Sequence, residues 1–166
     1  MSQEELRARK REELVRSYLN DTLTRVYSGI SELSEEAAET VLKEVCKACT
    51  TGWLSFFAHN YGYDPEKPDP DAFLVAEEKF LKHLCEGKAS ITRQGDTITE
   101  AMTPGYCVCP LIRNYGLVQP FHNYCLCAKN GYKLLYETAL KRPVKVDVVE
   151  SYNMGGNACT IKIELL

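Results

Sequence analysis

The sequence predicts an α+β fold in which N-terminal helices pack on a small antiparallel β-sheet. Three observations point there. Apolar residues recur at helical spacing among charges through the first half of the chain. Behind Gly87 the pattern changes to short β-prone stretches. The C-terminal segment alternates apolar and polar residues, as half-buried strands do. At 166 residues the chain reads as a single domain, 1–166, long enough to bury a core without staples. Residues 1–88 are mainly helical, and 89–166 hold strands, a cysteine-rich loop, a helix and a C-terminal β-hairpin.

The elements follow in order. Leu6, Leu14, Tyr18, Leu19, Leu23 and Val26 mark a first helix. Ser34, with acidic residues behind it, caps a second helix that runs through "CKAC" to "HNYG". "YGYDPEKPDPD" is a loop by its prolines and glycine, and Asp71 is placed to cap a third helix that Gly87 ends. "SITRQGDTITEAM" reads as a hairpin with Gly95 at the turn. Pro104, Gly105, Pro110, Gly116 and Pro120 make the next stretch loop-like. "AKNGYKLLYETALKR" is a fourth helix whose first turn Gly131 weakens. Val144, Val146 and Val148, then Cys159, Ile161, Ile163 and Leu165, form two strands joined by the turn "SYNMGGNA".

The bulk composition excludes several classes. An apolar fraction of 45% with 26% charged residues is that of an ordinary globule. A net charge of -3 argues against nucleic acid as a partner, since phosphate binding needs a basic surface. No apolar run approaches the roughly 20 residues of a membrane span. "MSQEELRARKREELVRSYL" is charged and amphipathic, without the apolar core of an export signal, so a cytoplasmic protein is expected. The charged face of this first helix is compatible with a homodimer and does not require one.

In a reducing compartment, clustered cysteines bind metal or do chemistry more often than they form staples. Four of the eight lie in "CVCPLIRNYGLVQPFHNYCLC", as two Cys-x-Cys pairs. In extended backbone, residues two apart face the same side, so Cys107 and Cys109 could share an ion. In a helix they diverge by about 200 degrees, so only one of Cys125 and Cys127 need point inward. With His122, the segment offers enough donors for tetrahedral zinc, although the spacing is not that of a zinc finger or ribbon. The competing readings are small buried hydrophobes and redox or nucleophilic thiols. Cys46 and Cys49 lie deep in a helix at i and i+3, where packing is the simpler use, and Cys85 reads as packing too.

His59 and His83 are isolated. His122, three residues before Cys125, is better placed to act as a ligand or as a base beside a thiol. Trp53, Phe56, Phe57, Tyr61 and Tyr63 are chiefly core, though aromatics beside a polar loop can also line a pocket. Gly155 and Gly156 are turn residues and not a phosphate loop, since no helix start or lysine follows them.

"NYCLCAKNGYKLLYETALKRPVKVDVVESYNMGGNACTIKIEL" resembles the 4-vinyl reductase domain superfamily, a small-molecule-binding α+β module. The likeness is closest to a cysteine-rich branch related to families described as L-2-amino-thiazoline-4-carboxylic acid hydrolases. It covers the chain from about Cys107 onward. In phenol-sensing members, cysteines and a glutamate hold a structural zinc. The resemblance puts Cys125 on the helix cysteine of that site and Cys159 on its strand cysteine. Ser151 stands where another ligand cysteine is expected, and Glu150 is beside the glutamate position and not on it. Cys107, Cys109 and Cys127 are then the thiolates available as replacements. The implied metal is zinc, with iron second, and the implied ligand is a small apolar or aromatic molecule.

Three functions follow as expectations. The first is a binding module braced by a thiolate metal site at Cys107, Cys109, Cys125, Cys127, Cys159 and His122. The second is a hydrolase acting on a carbon–nitrogen bond through metal-activated water or a cysteine nucleophile. The third is an assembly subunit whose cysteines are merely packed. Spacing alone singles out no catalytic residue, which favours binding.

Overall fold

The computed structural model describes residues 2–109 and 124–166. His122 and the loop signals at Pro110, Gly116 and Pro120 lie outside them. Helices α1 (Gln3–Ser31), α2 (Glu35–Tyr61) and α3 (Pro70–Leu84) lead into strands β1 (Ala89–Gln94) and β2 (Thr97–Met102). Helix α4 (Tyr124–Leu140) precedes β3 (Val144–Glu150), a 3₁₀ turn (Tyr152–Met154) and β4 (Cys159–Leu165). The class is α+β, as the change of period implies.

Local chemistry sets the boundaries. Ser2 and Glu5 cap α1 reciprocally, and the Ser34 hydroxyl accepts from Ala37 at the start of α2. Gly62 ends α2 with φ 72°, a left-handed conformation that costs glycine nothing. The cap of α3 is Asp69, not Asp71: its carboxylate accepts from the amides of Asp71 and Ala72. Pro70 then takes the first helical position, where a missing N–H does no harm. The expected hairpin forms, with Gly95 at φ 60°.

The four strands are ordered β1-β2-β4-β3, all antiparallel. Pairing β4 with both β2 and β3 is something strand patterns alone do not reveal. A register shift lies between Val148 and Glu150, where β3 leaves the sheet. The inward sides of the strands meet α3 and α4 in a core built on Phe57, Phe73, Leu135, Tyr136, Ile98, Met102 and Ile163. Phe73 and Tyr136 stack edge-on with centroids 5.1 Å apart, inside the favourable range.

A second apolar cluster joins Tyr27 and Ile30 of α1 to Ala38 and Leu42 of α2. The stripe that marked α1 in the sequence is largely uncovered: Leu14 is 70% exposed and Tyr18 69%. The helical period was real, but among the described residues it is the C-terminal part of α1, Leu23, Tyr27 and Ile30, that packs in the second cluster. No helix among the described residues is long and apolar enough to cross a membrane.

Candidate functional site

Helix α4 organises the thiols. It lies between α2 on one side and β3 on the other, so residues two apart on it face different neighbours. Cys125 turns to the sheet side, where its Sγ shares a 3.1 Å hydrogen bond with Ser151 Oγ. Cys127 turns to the helix side, 3.8 Å from both Cys46 Sγ and Tyr27 Oη. The pair divides as helical geometry requires.

The sheet-side group also holds Cys107 and Cys159. Cys159 opens β4 opposite Met102 and is buried. A hydrogen bond from the Cys107 thiol holds the Cys159 pKa down, against burial, which pushes it up. The same bond, followed by burial, pushes Cys107 up. Cys125 and Cys85 lie within electrostatic reach of Cys159 and oppose its ionisation. Ser151, buried, also caps the 3₁₀ turn by accepting from Met154 N at 3.1 Å.

The helix-side group is Cys46, Cys127 and Tyr27, with Cys49 and Cys109 nearby. Cys109 and Cys127 pack against the Tyr27 and Leu42 cluster. Hydrogen bonding from Cys46 lowers the Cys127 thiol to about 7, against burial, with help from Tyr27. Cys46 is raised by the same bond and then by burial. Tyr27 is raised chiefly by burial. The "CKAC" pair does not pack as one unit: Cys46 is buried and Cys49 exposed.

The cysteines marked out in the sequence therefore gather at two places. Cys107, Cys125 and Cys159 go to the sheet side, and Cys109 and Cys127 go to the helix side, while His122 lies outside the described residues. Among the described residues, no group of three or more His, Cys, Asp or Glu side chains is arranged to hold a metal ion.

Beside Cys125 opens a cleft of about 500 Å³. Ser31, Leu33 and Glu35 come to it from the α1–α2 junction, and Cys125, Leu126 and Lys129 from α4. Asp147, Val148 and Met154 complete it from β3 and the turn. Its walls combine apolar surface with a cation and two carboxylates. That volume falls within the roughly 300–1,000 Å³ range of small-ligand sites.

One constellation was missed in the sequence. Glu77 of α3 and Glu100 of β2 are buried together, 1% and 0% exposed. Tyr136 donates to Glu100 Oε1 at 2.6 Å, and the Oε2 atom of each glutamate has no hydrogen-bond partner among the described residues. Burial raises Glu100 to about 7, against the tyrosine donors that lower it. Burial first, then the charge of Glu100, raises Glu77 well above the usual carboxyl range. Two carboxylates in such a setting cannot both ionise cheaply, so one proton is shared by the pair. The signal was present: Glu77 shares the i, i+3, i+4 face of Phe73, Ala76, Phe80 and Leu81, and Glu100 alternates with Ile98 and Met102.

Fold and site together define an α+β module with helices on an antiparallel sheet, two thiol groups and an open cleft beside Cys125. No protein-family model and no curated protein matches the chain. Among solved structures it is similar to a trafficking protein particle complex subunit 3 from Naegleria fowleri, whose crystal structure has the protein covalently bound to palmitic acid. The TM-score is 0.54 at 13% identity, over 90% of this chain and 96% of that one. At that identity the likeness is one of fold.

Proposed function

We propose that the chain is a small-molecule-binding module of the 4-vinyl reductase type, with its ligand seated in the cleft beside Cys125. The cleft is the observation that carries this reading. Leu33, Leu126, Val148 and Met154 suit an apolar or aromatic body, and Lys129 suits an anionic group on it. A cytoplasmic setting agrees with eight cysteines that form no disulfide with one another.

A cysteine-held zinc, with iron second, belongs to the same reading, and Cys107, Cys125 and Cys159 are the thiols that would hold it. As they stand they do not fit a closed tetrahedral site: Cys125 is engaged with Ser151 and Cys107 with Cys159. The binding reading accordingly rests on the cleft and not on an ion. The alternative is a hydrolase of the L-2-amino-thiazoline-4-carboxylic acid type with Cys125 as nucleophile. Its hydrogen-bond partner is the Ser151 hydroxyl, and His122, the base this alternative calls for, lies outside the described residues. A second reading takes Cys125, on the wall of a part-apolar cleft, as the attachment point of a thioester-linked acyl chain, by analogy with the fold neighbour. The uncovered stripe of α1 is the surface through which a homodimer would form.

Native and denaturing mass spectra of gently purified protein separate these readings. A non-covalent organic adduct is expected in the native spectrum only, together with the metal content and the oligomeric state. An adduct that survives denaturation on Cys125 marks the acyl reading. Anilinonaphthalene sulfonate, aromatic and anionic, is expected to bind with enhanced fluorescence, and Val148→Trp to weaken it at least several-fold without changing the melting temperature much. Equal binding by the variant would remove the cleft as the site.

A further inference from the structure

We propose that Cys46 and Cys127 are an oxidisable thiol pair that a hydroperoxide converts to a disulfide joining α2 to α4. The inference goes beyond the binding reading and does not depend on it. Cys46 Sγ stands 3.8 Å from Cys127 Sγ and 3.2 Å from the Cys127 backbone oxygen. Contact with both the side chain and the main chain of one residue fixes how close the two helices come, not merely where two movable sulfurs happen to rest. The sulfurs must approach from 3.8 Å to about 2.05 Å for the bond to form. Gly131, four residues beyond Cys127 on the same face, also borders Cys46: a Cβ there would lie 3.9 Å from Cys46 Sγ, an ordinary packing contact.

Exposure assigns the order of events. Cys127 is half-buried and Cys46 is 1% exposed, so Cys127 meets the oxidant and Cys46 resolves. The Cys127 sulfur attacks hydrogen peroxide and breaks its O–O bond, giving a sulfenic acid and one water. The Cys46 sulfur then displaces the hydroxyl from Cys127 as a second water, and the S–S bond forms. Two thiols lose two electrons and two protons, and one peroxide takes them up. Tyr27, 3.8 Å from Cys127 Sγ, and the apolar Leu42 cluster flank the pair. A bond at Cys127 would fix the first two turns of α4, which also carry Cys125, Leu126 and Lys129 of the cleft.

The test treats reduced full-length protein with hydrogen peroxide, alkylates the remaining thiols under denaturing conditions and maps tryptic peptides without reduction. Cleavage after Lys47 parts Cys46 from Cys49, and fragmentation parts Cys125 from Cys127. The expected result is a dominant Cys46–Cys127 linkage, with six of the eight thiols left free, restored by dithiothreitol. In Cys46→Ser, dimedone capture of sulfenic acid at Cys127 should rise several-fold, because the resolving thiol is gone. Should that variant fail to fold, the wild-type peptide map decides alone. A dominant linkage between other cysteines, eight unchanged thiols, or equal dimedone capture in wild type and variant overturns the proposal.

Discussion

Raising the pH from 5 to 8.5 is expected to lower the stability of the chain by on the order of 3 kcal/mol, and Glu100→Gln to reduce that slope. The sign follows from the buried pair. An unfolded glutamate ionises near 4.5, whereas burial raises Glu100 in the fold to about 7 and Glu77 well above the usual carboxyl range. A raised carboxyl pKa gives stability that is complete below the unfolded value and is lost as pH rises through the folded one. The displacement of Glu100 from 4.5 to about 7, at about 1.4 kcal/mol per unit, sets the size. Gln at position 100 imitates the protonated acid: its amide oxygen can still accept from Tyr136, and no charge can form there. Urea titrations at pH 5 and pH 8.5 check this. A wild-type stability that is flat across that range, or an unchanged slope in Glu100→Gln, would contradict it.

Phe57→Ala should cost about 3–5 kcal/mol and leave the chain largely unfolded at 37 °C, since small domains hold only about 5–15 kcal/mol in all. Phe57 is fully buried and contacts three rings, with centroids 5.3 Å away at Phe80, 6.1 Å at Phe73 and 6.3 Å at Tyr61. Deleting its ring removes those contacts and leaves a void where α2, α3 and α4 meet. Phe56, one residue earlier and 39% exposed, keeps its own contacts to Tyr61 and Phe80 at the rim, and Phe56→Ala should cost far less. Denaturant midpoints of the two variants measure the difference. Equal losses would mean that the aromatic run does not divide into core and rim as described.

Much of the fold could be read from local pattern. Ser34, Gly62 and Gly95 act where their chemistry says they should, because caps and turns depend on near neighbours. The cap of α3 was misassigned by two residues because Asp69 and Asp71 offer the same carboxylate on either side of Pro70. The apolar stripe of α1 gave the helix correctly but not its burial, since period does not say whether anything covers a face. The site was only half legible. The divergence of Cys125 and Cys127 follows from helix geometry. The meeting of Cys127 with Cys46, 81 residues away, and of Cys107 with Cys159 depends on tertiary packing that spacing does not encode. Glu77 and Glu100 were hidden differently: their positions were apolar by period, but charged residues are presumed solvated unless period is given precedence over type.

The most direct measurement of the binding site is the alkylation rate of Cys125 with and without saturating anilinonaphthalene sulfonate, read beside Cys49 as an exposed control. Occupancy of the cleft should slow Cys125 several-fold and leave Cys49 untouched. Unchanged rates at both thiols while the probe is demonstrably bound, or equal slowing at both, would mean that the ligand sits elsewhere.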